Sequence, residues 1–255
     1  MKIHEIKSYI INLRNKPDRY QKSLENLRPL SIRPERFEAV NASELPSEYL
    51  QKITYPSVGY HIRTGRLLDN HFCSYGAVGC FLSHVQLWKQ LVDSPDEMYL
   101  ILEDDIEIRT TDEEINRYLS SIKGLMWDVA YLGYIKPKFI HTIDVQVKQN
   151  VYRIADMTLT THAYLIHKRG AEKLLAYAFP IVDQLDSYMS YMMEKGVSLY
   201  RPNHSLIVQS MWQISELQTF STRSFINRFS NLTWIISLAI IIIGSIWISR
   251  KLSKK

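Results

Sequence analysis

The stretch MYLILEDDIEI, residues 98–108, joins an apolar run to three consecutive acids. The five residues from Met98 to Leu102 are all apolar or aromatic, which predicts a strand buried on both faces of a sheet. Ligands of open α/β sheets bind beyond the carboxyl ends of the strands, and Glu103, Asp104 and Asp105 follow this strand at that end. The segment therefore indicates an α/β fold and, at the same point, a candidate site.

The segments on either side alternate between strand and helix patterns. Strand patterns occur at 6–13, 36–40, 127–133 and the start of 159–179, and helix patterns at 18–30, 76–93, 112–122, the end of 159–179 and 186–194. Residues 138–153 favour a β-hairpin or an extended pair. Residues 41–75 show little periodicity and contain Pro46 and Pro56, which predicts a long irregular stretch. Strands that alternate with helices imply a mostly parallel sheet flanked by helices.

The charge of the chain is unevenly distributed. The formal net charge is +5, but six Lys or Arg and no acid lie from Arg223 onward, which leaves 25 basic and 26 acidic residues in 1–222. The main domain therefore has no overall attraction for nucleic acid, and we exclude that class of partner. We predict one domain at 1–222 and a basic-flanked tail at 223–255.

The tail contains a long uncharged segment between Arg228 and Arg250. Leu232–Ile248 is mainly apolar, with Trp234 and Trp247 near its ends, and roughly 20 apolar residues are needed to cross a bilayer. We therefore predict a C-terminal apolar helix that anchors the chain in a membrane, the alternative being a helix buried in protein. Basic residues flank both sides, so the positive-inside rule does not decide its orientation.

The three acids are the strongest candidate for binding chemistry. A divalent cation on a diphosphate needs one or two carboxylates and keeps its other positions for phosphate and water. Alternation along an extended chain would send Glu103 and Asp105 to one side and Asp104 to the other. The alternative interpretation of the tripeptide is a solvated acidic turn.

A second group of candidates lies on the 76–93 helix, where Gly79, Cys80, Ser83 and His84 occur close together. Without an evident orienting acid, His84 is better interpreted as a hydrogen-bonded core histidine than as a catalyst or a ligand. The two cysteines of the chain are too few for a disulfide framework or a Cys-rich zinc site. Signatures of serine hydrolases and P-loop proteins are absent from the sequence.

A third group, Asp183 and Asp186, follows Pro180. A carboxylate within hydrogen-bond reach of a sugar hydroxyl would serve as the general base of a displacement at an anomeric carbon. Either acid could equally cap the helix that follows.

In the order of its segments, the chain resembles glycosyltransferase family 25 over about residues 6–215. The segments that carry the resemblance are IINLRNKPDRY (10–20), RFEAVNA (36–42), GAVGCFLSHVQLW (76–88), ILEDDIEI (101–108), DVAYLG (128–133), THAYLIHKRGAEKLL (161–175), PIVDQLDSYM (180–189) and IVQS (207–210). GAVGCFLSHVQLW is the most distinctive of them. Asn41 and Ala42 depart from the family pattern, which usually has an acid followed by glycine there, and the apolar tail is not part of that pattern.

The resemblance implies a GT-A-like fold, a UDP-sugar donor (commonly UDP-galactose), a divalent cation such as Mn²⁺ or Mg²⁺, and inversion at the anomeric carbon. The roles that it implies are nucleotide binding for Asn12, Leu13 and Arg19, metal binding for Glu103, Asp104 and Asp105, a place beside the donor for Gly79, Ser83 and His84, and general-base catalysis for Asp183, with Asp186 behind it. The acceptor would be a glycan such as lipooligosaccharide or another lipid-linked oligosaccharide.

Together these features predict a membrane-associated hexosyltransferase whose catalytic domain faces the cytoplasm, where nucleotide sugars are made. Two other interpretations stay open at this point. A metal-dependent hydrolase could also use acids at a strand end, although further His or Asp ligands are not evident. A membrane-tethered interaction domain with a transferase-like fold is the non-enzymatic alternative.

Overall fold

A computed structural model describes residues 2–64, 74–136 and 143–210. Its strands are β1 (Ser8–Asn12), β2 (Glu35–Glu38), β3 (Met98–Glu103), β4 (Ile106–Ile108), β5 (Val129–Ile135), β6 (Asp144–Lys148), β7 (Val151–Ile154), β8 (Leu159–His167), β9 (Leu199–Pro202) and β10 (Ile207–Gln209). Its α-helices are α1 (Pro17–Leu27), α2 (Ser47–Ile53), α3 (Pro56–Thr64), α4 (Tyr75–Asp93), α5 (Asp112–Ile122), α6 (Lys168–Leu175) and α7 (Leu185–Tyr191).

Eight of these strands form one mixed sheet in the order β2-β1-β3-β8-β5-β9-β7-β6. β1 is parallel to β2 and β3, and β5 is parallel to β9. β8 runs antiparallel to both of its neighbours, β3 and β5, and β7 is antiparallel to β9 and β6. All strands of the sheet except β7 and β8 therefore share one direction, which confirms the predicted α/β class with a mostly parallel sheet. β4 and β10 pair separately as a short antiparallel ladder.

The apolar run of β3 is explained by cores on both faces of the sheet. Tyr99 and Ile101 belong to the cluster that packs against α4, α6 and α7, whereas Leu100 and Leu102 belong to the cluster on the side of α1 and α5. A strand covered on both faces gains from an apolar residue at every position, not at alternate ones.

The segment 41–75, predicted to be irregular, is largely helical where the structure describes it. It contains a turn of 3₁₀ helix at Ala42–Glu44 followed by α2 and α3, so this prediction is wrong. Its prolines lie at the starts of helices: Pro46 is the N-cap of α2, and Pro56 is the first residue of α3. Proline is tolerated at the first turn of a helix because the N–H that it lacks would have no intrahelical partner there.

The membrane location predicted from the tail is contradicted by the helices that the structure describes. No helix within 2–64, 74–136 and 143–210 is long and apolar enough to cross a bilayer. The tail itself, residues 223–255 with the predicted apolar helix, lies outside the described residues. The predicted membrane-anchored location is therefore wrong.

Candidate active site

A cleft of about 290 Å³ opens where β1 and β3 end, between the start of α1 and one side of α4. The predicted site residues that line it are Asn12, Leu13, Arg19, Ser83, His84, Glu103, Asp104 and Asp105. They come from distant parts of the chain, and parallel pairing of β1 with β3 brings the ends of these strands together. The cleft therefore lies where an α/β sheet binds its ligands.

The three acids at the end of β3 form two groups, with Glu103 on its own and Asp104 and Asp105 together. The chain turns after Glu103, whose Oε1 accepts a hydrogen bond from the Thr161 hydroxyl at 2.8 Å. Asp104 and Asp105 both approach Arg19, with shortest contacts of 2.5 and 3.7 Å from its Nη2. The expected pairing of Glu103 with Asp105 is wrong, because strand alternation ends where the turn begins.

Asn12 links the end of β1 to the acidic turn. Its amide nitrogen donates to Asp104 Oδ2 at 2.5 Å and to the Lys16 carbonyl at 2.9 Å, while its Oδ1 accepts from the Arg36 guanidinium at 2.6 Å. Since Asn12 is buried and its side chain is engaged on both sides, it holds Asp104 and Arg36 in place. Burial raises the pKa of Asp104, and the Arg19 charge and the Asn12 hydrogen bond act against that rise.

The ionisation of Asp105 is strongly perturbed. Gln209 at the end of β10 donates to Asp105 Oδ2 at 2.9 Å, whereas the buried Oδ1 has no hydrogen-bond partner in the described protein. Burial, together with the negative charge of Glu103, raises the pKa of Asp105 to about 7. A buried carboxylate oxygen without a donor is costly, and a bound cation would satisfy it.

Gly79 and Ser83 hold the loop after β2 against α4. The Ser83 hydroxyl donates to the Gly79 carbonyl at 2.7 Å and accepts from the Val40 N–H at 2.8 Å. A Cβ on Gly79 would lie 2.4 Å from the Val40 carbonyl oxygen, so only glycine permits this approach. Gly79 is absent from the described lining of the cleft, and these contacts position the loop. Asn41, the departure from the family pattern, caps the 3₁₀ turn by accepting from the Ser43 N–H.

Comparison with known protein families shows which family the chain belongs to. The model described as glycosyltransferase family 25 (LPS biosynthesis protein) matches residues 5–189. The chain belongs to glycosyltransferase family 25.

Curated relatives are similar at modest identity. A glycosyltransferase 25 family member of Aedes aegypti is 30% identical over 66% of this chain and 27% of its own length. Human procollagen galactosyltransferase 2 is 27% identical over 73% of this chain and 30% of its own length. The mouse protein named inactive glycosyltransferase 25 family member 3 is 26% identical over 84% of this chain and 35% of its own length. The match therefore spans about a third of each of these relatives.

Solved structures give weaker similarities. A glycosyltransferase involved in glycosylation of the PBCV-1 major capsid aligns with a TM-score of 0.39 at 8% identity, over 82% of this chain and 92% of that one. CMP:2-keto-3-deoxy-manno-octonic acid synthetase complexed with CTP aligns with a TM-score of 0.41 at 10% identity, over 88% and 99%. TM-scores and identities this low assign no role to any residue of this family 25 chain.

The two predicted base candidates are absent from the described lining of the cleft. Asp186 is the second residue of α7, and Asp183 lies just before this helix. Asp186 Oδ1 accepts from the Ser187 N–H at 2.8 Å, and its Oδ2 accepts from the Thr160 N–H of β8 at 3.2 Å. Asp183 Oδ1 accepts from the Gln184 N–H at 2.7 Å. Burial raises the pKa of Asp186. These contacts tie both acids to the helix start, and their role in catalysis stays a prediction.

Several residues that shape the site were not predicted from the sequence. Gln209 holds Asp105, Thr161 holds Glu103, and Lys16 lines the cleft beside Arg19. The segment IVQS, which carries Gln209, is part of the family resemblance, but its three-residue strand gives almost no local signal. Thr161 could have been found only from the pairing of β8 with β3, which places it near the end of β3.

Proposed function

We propose that this family 25 chain is a galactosyltransferase with a GT-A-like fold that moves a hexose from a UDP-sugar to a hydroxyl of a glycan acceptor, with inversion and the help of a divalent cation. The observation that carries the proposal is the cleft in which Asp104, Asp105 and Arg19 meet. Relatives named procollagen galactosyltransferases support the choice of galactose. Relatives named inactive show that family membership alone does not establish turnover, so the site must be tested.

The residues present fit a divalent cation. Asp105 offers a buried oxygen without a hydrogen-bond partner, and Asp104 lies beside it at the same guanidinium group. Oxygen donors of this kind suit Mn²⁺ or Mg²⁺. When bound, the cation would neutralise the negative charge that develops on the leaving diphosphate.

Arg19, which lies beside Asp104 and Asp105, would hold the phosphates. In the structure its Nη2 pairs with Asp104, and its Nε is buried without a hydrogen-bond partner in the described protein. A guanidinium with spare donors can bind phosphate oxygens while its carboxylate partners are neutralised by a cation. Leu13 and Asn12 would border the nucleotide at the end of β1.

Asp183 or Asp186 would take the proton from the acceptor hydroxyl as the new glycosidic bond forms. Burial raises the pKa of Asp186 above its usual range, which brings a carboxylate closer to the value that favours general-base catalysis near neutral pH. For either acid to take this proton, the acceptor hydroxyl would have to bind next to the start of α7.

The first test is UDP release from a panel of UDP-sugars by the purified full chain, with Mn²⁺ or with EDTA and without acceptor. We expect slow UDP release from UDP-galactose above the other donors, lost with EDTA, because the cation and Arg19 stabilise the leaving group. Absence of both turnover and metal-dependent UDP binding for every donor would contradict the proposal and favour a non-catalytic interaction domain.

The affinity for Mn²⁺ is expected to depend on pH through Asp105. A carboxylate must be ionised to bind a metal, and the pKa of Asp105 is raised to about 7 by burial. Binding should therefore be independent of pH above about 8 and should weaken by up to about tenfold per pH unit below 7. Titration of Mn²⁺ followed by electron paramagnetic resonance measures this. A constant affinity between about pH 5.5 and 8 would show that Asp105 is not the titrating ligand.

A further inference from the structure

Glu103 faces a second set of possible metal ligands, separate from the Asp104–Asp105 pair. Cys80 and His84 lie one turn apart on α4, and Glu103 ends the neighbouring strand β3. One ligand atom from each of the three lies within 4.8 Å of the others. All three residues line the cleft.

His84 has the environment of a metal-binding histidine. It is fully buried, and its Nε2 has no hydrogen-bond partner within the described protein. Its other ring nitrogen, Nδ1, lies 2.6 Å from the Tyr164 hydroxyl, and this hydroxyl accepts from Trp88 Nε1 at 3.0 Å. In the tautomer that carries the ring proton on Nδ1, His84 donates to Tyr164 and the lone pair of Nε2 is free. Histidine ligands usually use the second ring N–H in such a hydrogen bond, which fixes the tautomer and directs the lone pair of the first nitrogen to the metal.

The distance between His84 and Glu103 suits two ligands of one ion. His84 Nε2 lies 3.7 Å from Glu103 Oε1, which is too long for a hydrogen bond. Ligands bound about 2.0–2.1 Å from zinc at the tetrahedral angle lie roughly 3.4 Å apart. Small adjustments would therefore place both atoms on the same ion, with the Cys80 sulfur as the third ligand.

We propose that Cys80, His84 and Glu103 bind a zinc-class divalent ion whose fourth coordination position faces the cleft. A sulfur, a nitrogen and an oxygen are ligands that Zn²⁺ accepts together, whereas Mg²⁺ and Mn²⁺ prefer oxygen. Three protein ligands leave one position open for water or for a ligand in the cleft. The proposal does not rest on transferase activity, because the site is defined by these three side chains alone.

Cobalt and zinc binding to the purified full chain test this site without any donor sugar. After removal of metals, Co²⁺ should give the visible spectrum of a tetrahedral site and a near-ultraviolet thiolate charge-transfer band. Both signals should saturate at one equivalent, even if further Co²⁺ binds at Asp104 and Asp105, and equimolar Zn²⁺ should abolish them. Cys80→Ser should abolish the charge-transfer band and weaken Zn²⁺ binding by at least about tenfold, since even loss of an outer-shell partner costs that much. Circular dichroism checks that this variant is folded. Glu103→Gln, which keeps an acceptor for Thr161, should weaken Zn²⁺ binding similarly.

Asp105→Asn is the matched control, because it removes a carboxylate from the same cleft but from the other group. It should keep the cobalt spectrum and the zinc affinity of the unchanged chain while losing Mn²⁺ binding. Three results would overturn the proposal: no stoichiometric Co²⁺ or Zn²⁺ binding, a charge-transfer band that survives in folded Cys80→Ser, or loss of the cobalt spectrum in Asp105→Asn. Failure of UDP-sugar turnover with an intact cobalt spectrum would instead contradict the proposed function alone.

Discussion

Replacement of Asp105 by asparagine is expected to lower metal-dependent UDP release by about 10²–10³-fold, which corresponds to roughly 3–4 kcal/mol of transition-state stabilisation. The physical reason is that asparagine keeps the shape and can still accept from Gln209, but it removes the buried anionic oxygen that the cation would neutralise. The measurement is initial-rate UDP release with saturating Mn²⁺ and UDP-galactose. Asp93→Asn, an exposed acid at the end of α4, is the control and should keep full activity.

The same substitution should not destabilise the metal-free protein, which separates a catalytic loss from unfolding. Burial raises the pKa of Asp105 to about 7 in the folded chain, from an ordinary value of 3.8. Its contribution to folding stability is therefore greatest below the unfolded pKa and is lost as pH rises through the folded pKa. At pH 8 we expect Asp105→Asn to raise the free energy of unfolding by about 1–3 kcal/mol. Unchanged UDP release in this variant, or loss of activity accompanied by lower stability, would contradict the assigned role.

The elements with strong periodicity could be predicted from the sequence. The apolar run at 98–102, the amphipathic pattern at 76–93 and the polar helix at 112–122 all appear close to their expected bounds as β3, α4 and α5. Placement of the acids at the end of β3 follows from the same pattern. These predictions succeed because burial on a helix stripe or on both faces of a strand restricts residue type locally.

The orientation of strands and the partners of the site residues could not be predicted in this way. β8 has an ordinary strand pattern, and nothing in it indicates that it runs antiparallel between β3 and β5. That reversal brings Thr161 to Glu103 and Tyr164 to His84. Since such contacts depend on the pairing of distant segments, His84 could be interpreted only as a core histidine from its helix position, without the acid beside it.

Gly133, the last residue of the DVAYLG segment, is a position where a single added methyl group is expected to cost much stability. A Cβ there would lie 2.1 Å from His162 Nε2 and 2.5 Å from the Ile207 carbonyl oxygen. These two atoms are themselves joined by a hydrogen bond of 2.9 Å that connects β8 to the start of β10. Gly133→Ala must therefore displace a fully buried ring or separate β10 from β8, and we expect it to lower the free energy of unfolding by about 3 kcal/mol, measured by denaturant titration.

The substitution should also affect the site through β10, since a displaced Ile207 would move Gln209 away from Asp105.

Gly124→Ala is the control. Gly124 has open space around its Cβ position but a φ of +80°, so backbone strain alone should lower the free energy of unfolding by about 1–2 kcal/mol. Adding His162→Ala to Gly133→Ala removes the ring that the methyl group meets. The double variant should then lose less free energy of unfolding than the two single variants lose together. Two results would contradict this account: additive losses of free energy of unfolding in the double variant, or a loss for Gly133→Ala no larger than that for Gly124→Ala. Either would show that the contact with His162 is not what excludes a side chain at Gly133.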